Sequence, residues 1–439
     1  MIYCRELQKY YENDLKSKLL LDASTIQVLL EKRIISKTEK GIFSFEFVGV
    51  LIIKERVLFS LPKYSKKSEK KTVVKQLLAL FGEYSKREIL DEDELESIGS
   101  IDPENDYNML SVIIFLMNDY FENGLYSNEK NIYVFNGEDE INWSKTIGEL
   151  QPLINDGEPV YLEYYTNSTQ NDEENYFRQL HRYILNECTK KLNELGLSEF
   201  LGFDPVYFEI SEDSLGSPES IIFRINNELN VQFINRKQLL LKAMLSFVNN
   251  EKMESDNFTI SFYGTRSFHV VWEKTCGYVL NNKYEVVKKL IAQPEWTTLN
   301  GKHHNAATLI PDIINIANDS FIIFDAKYYT IKLTDNILKG NPGVEDVTKQ
   351  YLYQLAFDKY IKSRSFSTVK NVLLFPSEEE EIKQLGRVTI KFLKELGLED
   401  IMLFAVPTQM VFDLYTNSKK LNIEKFHNVK IELIKEFNK

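Results

Sequence analysis

Cysteine is scarce in this chain: Cys4, Cys188 and Cys276 are the only three among 439 residues. Their wide spacing argues against a disulfide framework and against a zinc site of the CxxC kind. No apolar run approaches the roughly 20 residues that a membrane-spanning helix needs. The opening Met1-Ile2-Tyr3-Cys4-Arg5-Glu6 is charged too early for a signal peptide. A cytoplasmic protein that does not contact membranes is therefore expected. No G-x-x-x-x-G-K-[ST] loop occurs, so the chain has no recognisable nucleotide-driven motor. Internal repeats and low-complexity linkers are missing too. Positive charge is in deficit: 53 Lys and Arg stand against 65 Asp and Glu, a net charge of −12.

That deficit is unevenly spread, and it suggests an organisation. Residues 1–75 hold 16 basic against 9 acidic side chains, residues 76–249 hold 12 against 32, and residues 250–439 hold 25 against 24. Length alone allows two or three domains. The basic segment 1–75 is expected to form a small winged-helix-like module. Its helix covers Leu21 to Ile35, capped by Asp22 or Ser24, and strands Ile42–Ile53 and Arg56–Leu61 surround the turn Lys54-Glu55. Lys32, Arg33, Lys37, Lys63, Lys66 and Lys67 are its candidate docking cations, although no groove-reading signature accompanies them.

The segment 76–249 is read as a mixed α+β region that docks a partner. Helices are expected from Leu110 to Tyr120 and from Glu174 to Leu195, with acids at Asp91–Glu94 and Asp172–Glu174 favouring helix starts. Ser211–Pro218 reads as a loop. Residues 250–439 read as an α/β domain, a mixed sheet flanked by helices. Within it, His303-His304 falls in an expected loop at 300–305, where two adjacent His are poor chelators by themselves. The run Glu378–Glu381 reads as a solvated helix start.

The chemistry concentrates between Thr308 and Tyr329. Ile313-Ile314-Asn315-Ile316 and Phe321-Ile322-Ile323-Phe324 flank the polar turn Ala317-Asn318-Asp319-Ser320, which is the pattern of a β-hairpin. Asp312 lies early on the first strand, and Asp325-Ala326-Lys327 ends the second. Asp325 and Lys327 are two apart and share one strand face. Ala326 points the other way, and its carbonyl is a candidate metal ligand. A D-x-K triplet is common as a solvated pair, but this one closes an apolar run, where unpaired charge is costly. Two carboxylates converging on one Mg²⁺, with Mn²⁺ expected to substitute, suit phosphodiester hydrolysis. Lys327 beside them would orient water or steady the phosphate.

The Pro311-Asp312…Asp325-Ala326-Lys327 arrangement resembles the PD-(D/E)xK nucleases. That resemblance implies a metal-ligating Glu on the preceding helix, for which Glu273 is the candidate, with His269 one turn before it. It also implies a polar residue from the helix after the D-x-K strand. Gln350 is the best match, near Lys349, Tyr353 and Gln354. Strands expected at Val369–Pro376 and Met402–Val406 complete the superfamily's core order.

Over most of its length the chain resembles the LlaJI family of restriction endonuclease subunits, and more distantly McrC. The resemblance is carried by Phe47-Val48-Gly49-Val50, Leu61-Pro62-Lys63-Tyr64, Tyr176-Phe177-Arg178-Gln179, Arg236-Lys237-Gln238-Leu239, Gly264-Thr265-Arg266-Ser267-Phe268 and Trp272-Glu273, together with the hairpin. It implies a Mg²⁺-dependent DNA endonuclease subunit of a GTP-driven, McrBC-like restriction or anti-phage system. Its expected partners are double-stranded DNA, an McrB-like AAA+ GTPase, and a second copy within the assembly. The alternative is a non-catalytic DNA-binding or scaffolding subunit that keeps the fold. An RNA-directed or toxin-like nuclease would share the same site.

Overall fold

The computed structural model describes all residues except 55, 89–107, 128, 173, 211–214, 255–259, 307, 318, 399, 424–425 and 427–439. The expected acids at 91–94 and part of the 211–218 loop lie outside the described residues. The chain is a mixed α/β protein that packs as two units, 1–99 with 260–439, and 100–259.

In the first unit, a five-stranded sheet has the order 313–317, 320–326, 368–377, 401–407, 383–388. The three central strands run parallel, and both edge strands run antiparallel to their neighbours. Burial on both faces explains the continuous apolar runs: Ser320–Ala326 is buried along its whole length, as is most of Thr368–Ser377. One face packs Phe321 and Ile323 with Ile314, Tyr353 and Phe357. Leu373, Phe375, Ile401 and Leu403 pack with Val347, Tyr351 and Leu398. The helix Val344–Ala356 starts where Pro342-Gly343 ends the preceding loop, and it presents Val347, Gln350, Tyr351 and Gln354 to the sheet.

The edge strand Lys383–Val388 was not expected. Glu378 to Glu381 form bends and do not start a helix. The Glu378 carboxylate instead accepts the backbone N–H groups of Lys66, Lys67 and Ser68, at 2.8 to 2.9 Å for its Oε1. An acid bound in this way anchors a neighbouring loop, and the chain then turns back along the sheet edge.

A second sheet has the order 2–5, 56–61, 48–53, 260–265. The hairpin expected around residue 54 forms, with Val48–Ile53 antiparallel to Arg56–Leu61. Its other neighbour, Ile260–Thr265, comes from far along the chain. Gly49 and Gly264 face each other there with φ of +149° and +157°. A Cβ on Gly49 would collide with the Tyr263 carbonyl, and one on Gly264 with the Val48 carbonyl; the Phe47 ring also crowds both positions. The long strand expected at 42–53 is split. Glu46 breaks it by accepting the Ser36 and Ser44 hydroxyls, so Phe43–Phe45 joins a separate three-stranded sheet. Helix Ala23–Glu31 is capped by Asp22, whose carboxylate accepts Thr25 N–H.

The second unit is built on helices Met109–Asn123, Tyr176–Glu194, Pro218–Val231 and Asn235–Glu254. An antiparallel strand pair, Glu129–Phe135 with Tyr165–Asn171, accompanies them. A bidentate Arg236–Asp119 ion pair ties two of the helices. His181 is fully buried, with Nδ1 accepting Tyr126 N–H and Nε2 lacking a hydrogen bond.

Candidate active site

The hairpin registers Ile313 opposite Phe324, which sets Asp312 across from Asp325. Asp312 lies one residue before the first strand, and its Oδ2 accepts the Ala326 N–H at 3.1 Å. Asn282 fixes this entry: its side chain donates to Asp312 O at 2.8 Å and accepts Ile314 N–H at 3.0 Å. Asp325 is 3 % exposed. The Asp312 and Asp325 carboxyl groups hydrogen-bond each other. Burial, and then the Asp312 carboxyl beside it, push Asp325 up to about 8. Asp312 is raised as well, chiefly by burial.

Lys327 stands just beyond the strand, its N–H still bonded to Leu374 O at 2.9 Å. Its ammonium lies 3.0 Å from Asp325 Oδ1 and 3.0 Å from Asp346 Oδ1. Burial works against the charged form, but the two carboxylates reverse that and hold Lys327 above an ordinary lysine. Asp346 is the residue that sequence reading missed. It lies in the first turn of the Val344–Ala356 helix, four residues before Gln350 and so on the same helix face.

Gln350 itself is fully buried, and its Nε2 donates to Ile323 O at 3.0 Å. Its amide thus grips the strand that carries Asp325. Gln354, one turn on, accepts the Asn371 amide. Lys349 pairs with Glu345, and the Tyr353 hydroxyl donates to Ile310 O.

Glu273 rides on the helix Phe268–Val279, whose buried residues include Phe268, Val271, Trp272, Thr275 and Cys276. Glu273 and Asp312 line one cleft of about 280 Å³, together with Lys274, Tyr278, Asn282 and Lys420. Burial raises the Glu273 carboxyl, Lys274 opposes that, and the Asp325 charge adds to it. His269, one turn earlier, does not line this cleft; burial and then the nearby Lys63 pull it below an ordinary histidine. Lys63 lies 4.1 Å from the centre of the Tyr328 ring, and Tyr328 donates its hydroxyl to Glu6. The Leu61–Tyr64 stretch is therefore packed beside the residue that follows Lys327. His303 and His304 sit in a short strand, 303–305, rather than a loop, because it pairs with Glu295–Thr297 and His303 pairs with Glu295.

The donor set suits a hard divalent cation. Among the described residues no three Asp, Glu, His or Cys side chains are close enough to cage an ion. Mg²⁺ asks for less: one or two carboxylates, with water and phosphate oxygens completing the shell. Asp312 and Asp325 are already in contact, and buried Asp325 Oδ1 receives no well-directed hydrogen bond although Lys327 stands beside it.

The sequence has clear relatives. The model of the family described as LlaJI restriction endonuclease matches residues 47–411. The Type II restriction enzyme BsuMI component YdjA of Bacillus subtilis (strain 168) is 32 % identical over 451 residues, spanning 99 % of this chain and 92 % of that protein. A solved chain from the half-complex of Thermococcus gammatolerans McrB AAA+ hexamers with bound McrC aligns over 95 % of this chain and 98 % of its own, at 14 % identity and a TM-score of 0.39. A chain of the T. gammatolerans McrBC complex aligns over 58 % of this chain and 85 % of its own, at 14 % identity and a TM-score of 0.24.

Proposed function

Since the chain belongs to the LlaJI restriction endonuclease family, we propose that it is the DNA-cutting subunit of a GTP-driven restriction system, with the five-stranded sheet as a PD-(D/E)xK core. The observation that carries this reading is the convergence of Asp312, Asp325 and Lys327 at one end of the buried hairpin, with Lys327 Nζ 3.0 Å from Asp325. Charge buried there costs stability and is kept for use.

Asp312 and Asp325 would hold Mg²⁺ or Mn²⁺, with Glu273 and the Ala326 carbonyl as further ligands. The ion would supply a Lewis acid and a water of lowered pKa. Lys327 has the charge and position to orient the attacking water and to steady the pentavalent phosphate. Asp346 holds that ammonium in place from the helix. Gln350 fixes the strand beneath the carboxylates, which keeps the site rigid.

The substrate is double-stranded DNA in the cytoplasm, and an McrB-like AAA+ GTPase delivers it. The missing P-loop supports a separate motor subunit. The relative from B. subtilis is likewise named as one component of a restriction enzyme. A double-strand break needs two active sites or two visits, which a second copy in the assembly would supply.

The test is plasmid cleavage with Mg²⁺, comparing wild type with Asp325→Ala and Lys327→Ala. Loss of cutting in both folded variants supports the nuclease. Undiminished cutting in both, or no Asp325-dependent cutting under any condition, moves the assignment to a scaffolding subunit.

A further inference from the structure

The cleft beside the hairpin is lined by both acids and lysines. Glu273, Asp312 and Glu88 line it together with Lys274 and Lys420. Among the described residues, Lys274, Lys283 and Lys420 form no ion pair with a carboxylate. Elsewhere Lys288, by contrast, pairs with Glu285.

Lys420 is held by two contacts to one residue. Its Nζ lies 3.1 Å above the centre of the Tyr278 ring and donates to Tyr278 O at 2.7 Å. Burial lowers its pKa, Tyr278 opposes that, and the charges of Arg87 and Lys283 lower it further. Arg87 is itself occupied: it pairs with Glu83 and stacks on Tyr278 and Tyr415. The segment carrying Lys420 is pinned by Leu421 N–H to Val279 O at 2.9 Å. Lys420 and the Lys283 that repels it have no paired carboxylate among the described residues, and they leave positive charge beside the cleft for an anion to balance.

We propose that Lys420 and Lys274, with Lys283 behind them, form a clamp for a backbone phosphate of the DNA strand that enters the cleft, next to the phosphate held for cutting. This clamp rests on the nuclease reading and names how that site grips its substrate. The lysines contact only the backbone, so they position the strand without reading its sequence. Lys420 comes from the stretch that follows the helix Thr408–Thr416, a place that no motif marks. Its ring-face and carbonyl contacts with Tyr278 spare the clamp the entropy of ordering a free lysine.

Each phosphate contact releases bound counterions, so its loss lowers the slope of log affinity against log salt by about 0.9. The experiment is a potassium chloride titration of full-length protein with a fluorescent mixed-sequence duplex, in EDTA so that nothing is cut. Lys274→Ala and Lys420→Ala should each bind more weakly and lose about 0.9 of slope, and the double variant about twice that. Lys420→Arg should keep the wild-type slope. Lys362→Ala, which removes an exposed lysine paired with Asp358, should change nothing. Wild-type slopes in both alanine variants would overturn the clamp, as would a wild-type chain that shows no salt-dependent duplex binding. Asp325-dependent plasmid cutting is scored separately. If cutting persists while the slopes are unchanged, only the clamp falls. If the slopes shift but Asp325-dependent cutting is absent, the nuclease reading falls and the cleft remains a backbone-binding site.

Discussion

At the scale of single residues, the candidate site is three charges and the neighbours that restrain them. Asp346 is the most informative of those neighbours, because it shares Lys327 with Asp325 at the same 3.0 Å. Partners that orient a working group are commonly worth about 10–100-fold in activity. We expect Asp346→Asn to lower cutting by about that factor while the fold and the metal requirement persist. A variant that cuts at the wild-type rate would remove Asp346 from the site. Asp346 was legible in principle, since it precedes Gln350 by one helical turn, but a carboxylate in a first turn is ordinarily a dipole partner and gave no warning. Asp312, Asp325 and Lys327 were legible because an apolar strand ending in charge violates the burial pattern. A different residue, in the other unit, contributes a pH dependence of its own. Burial holds His181 at about 4, below the usual 6.5. Below pH 6.5 the unfolded chain takes up a proton that the folded chain refuses until about pH 4, so stability is lost as pH falls through that window. From pH 7 to pH 5 the loss is about 2 kcal/mol. Urea unfolding at both pH values should show that slope in wild type and a shallower one in His181→Gln.

At the scale of elements, what could be read was local and what could not was long-range. The strands at 313–317, 320–326, 368–377 and 401–407 and the helix 344–356 announced themselves through apolar runs, period and breakers. The edge strand 383–388 did not, because its residues are half-exposed and its preceding acids imitate a helix start. Nor could the sequence show that Glu378 reaches back more than 300 residues to the backbone of Lys66–Ser68. The pairing of Gly49 with Gly264 is another contact of that kind. In the sequence each glycine stands only within a stretch that carries the family resemblance, yet together they let two backbones approach where no Cβ fits. Gly264→Ala should therefore destabilise the first unit by roughly 3 kcal/mol, combining overpacking with a strained φ. Thermal melting would show this as a clear drop in the first unit's transition, and an unchanged midpoint would contradict the packing argument.

At the scale of the whole molecule, composition gave an incomplete map. The net charge of −12 fits the proposed DNA substrate poorly until the local charges are placed. The lysines of the proposed clamp stand at one carboxylate cleft, and bulk charge does not report them. The described residues include no helix long and apolar enough to cross a membrane. Strand 260–265 joins the sheet of strands 2–5, 48–53 and 56–61, so charge blocks along the sequence do not mark which segments fold together. The central claim is that the Asp312, Asp325 and Lys327 constellation cuts DNA under the control of a separate GTPase. Its most direct measurement is plasmid cleavage in Mg²⁺ by wild type and Asp325→Ala, alone and with the McrB-like partner plus GTP. We expect cutting by wild type only, requiring or strongly stimulated by partner and GTP. Equal cutting by Asp325→Ala, or none by wild type in any combination, would contradict it.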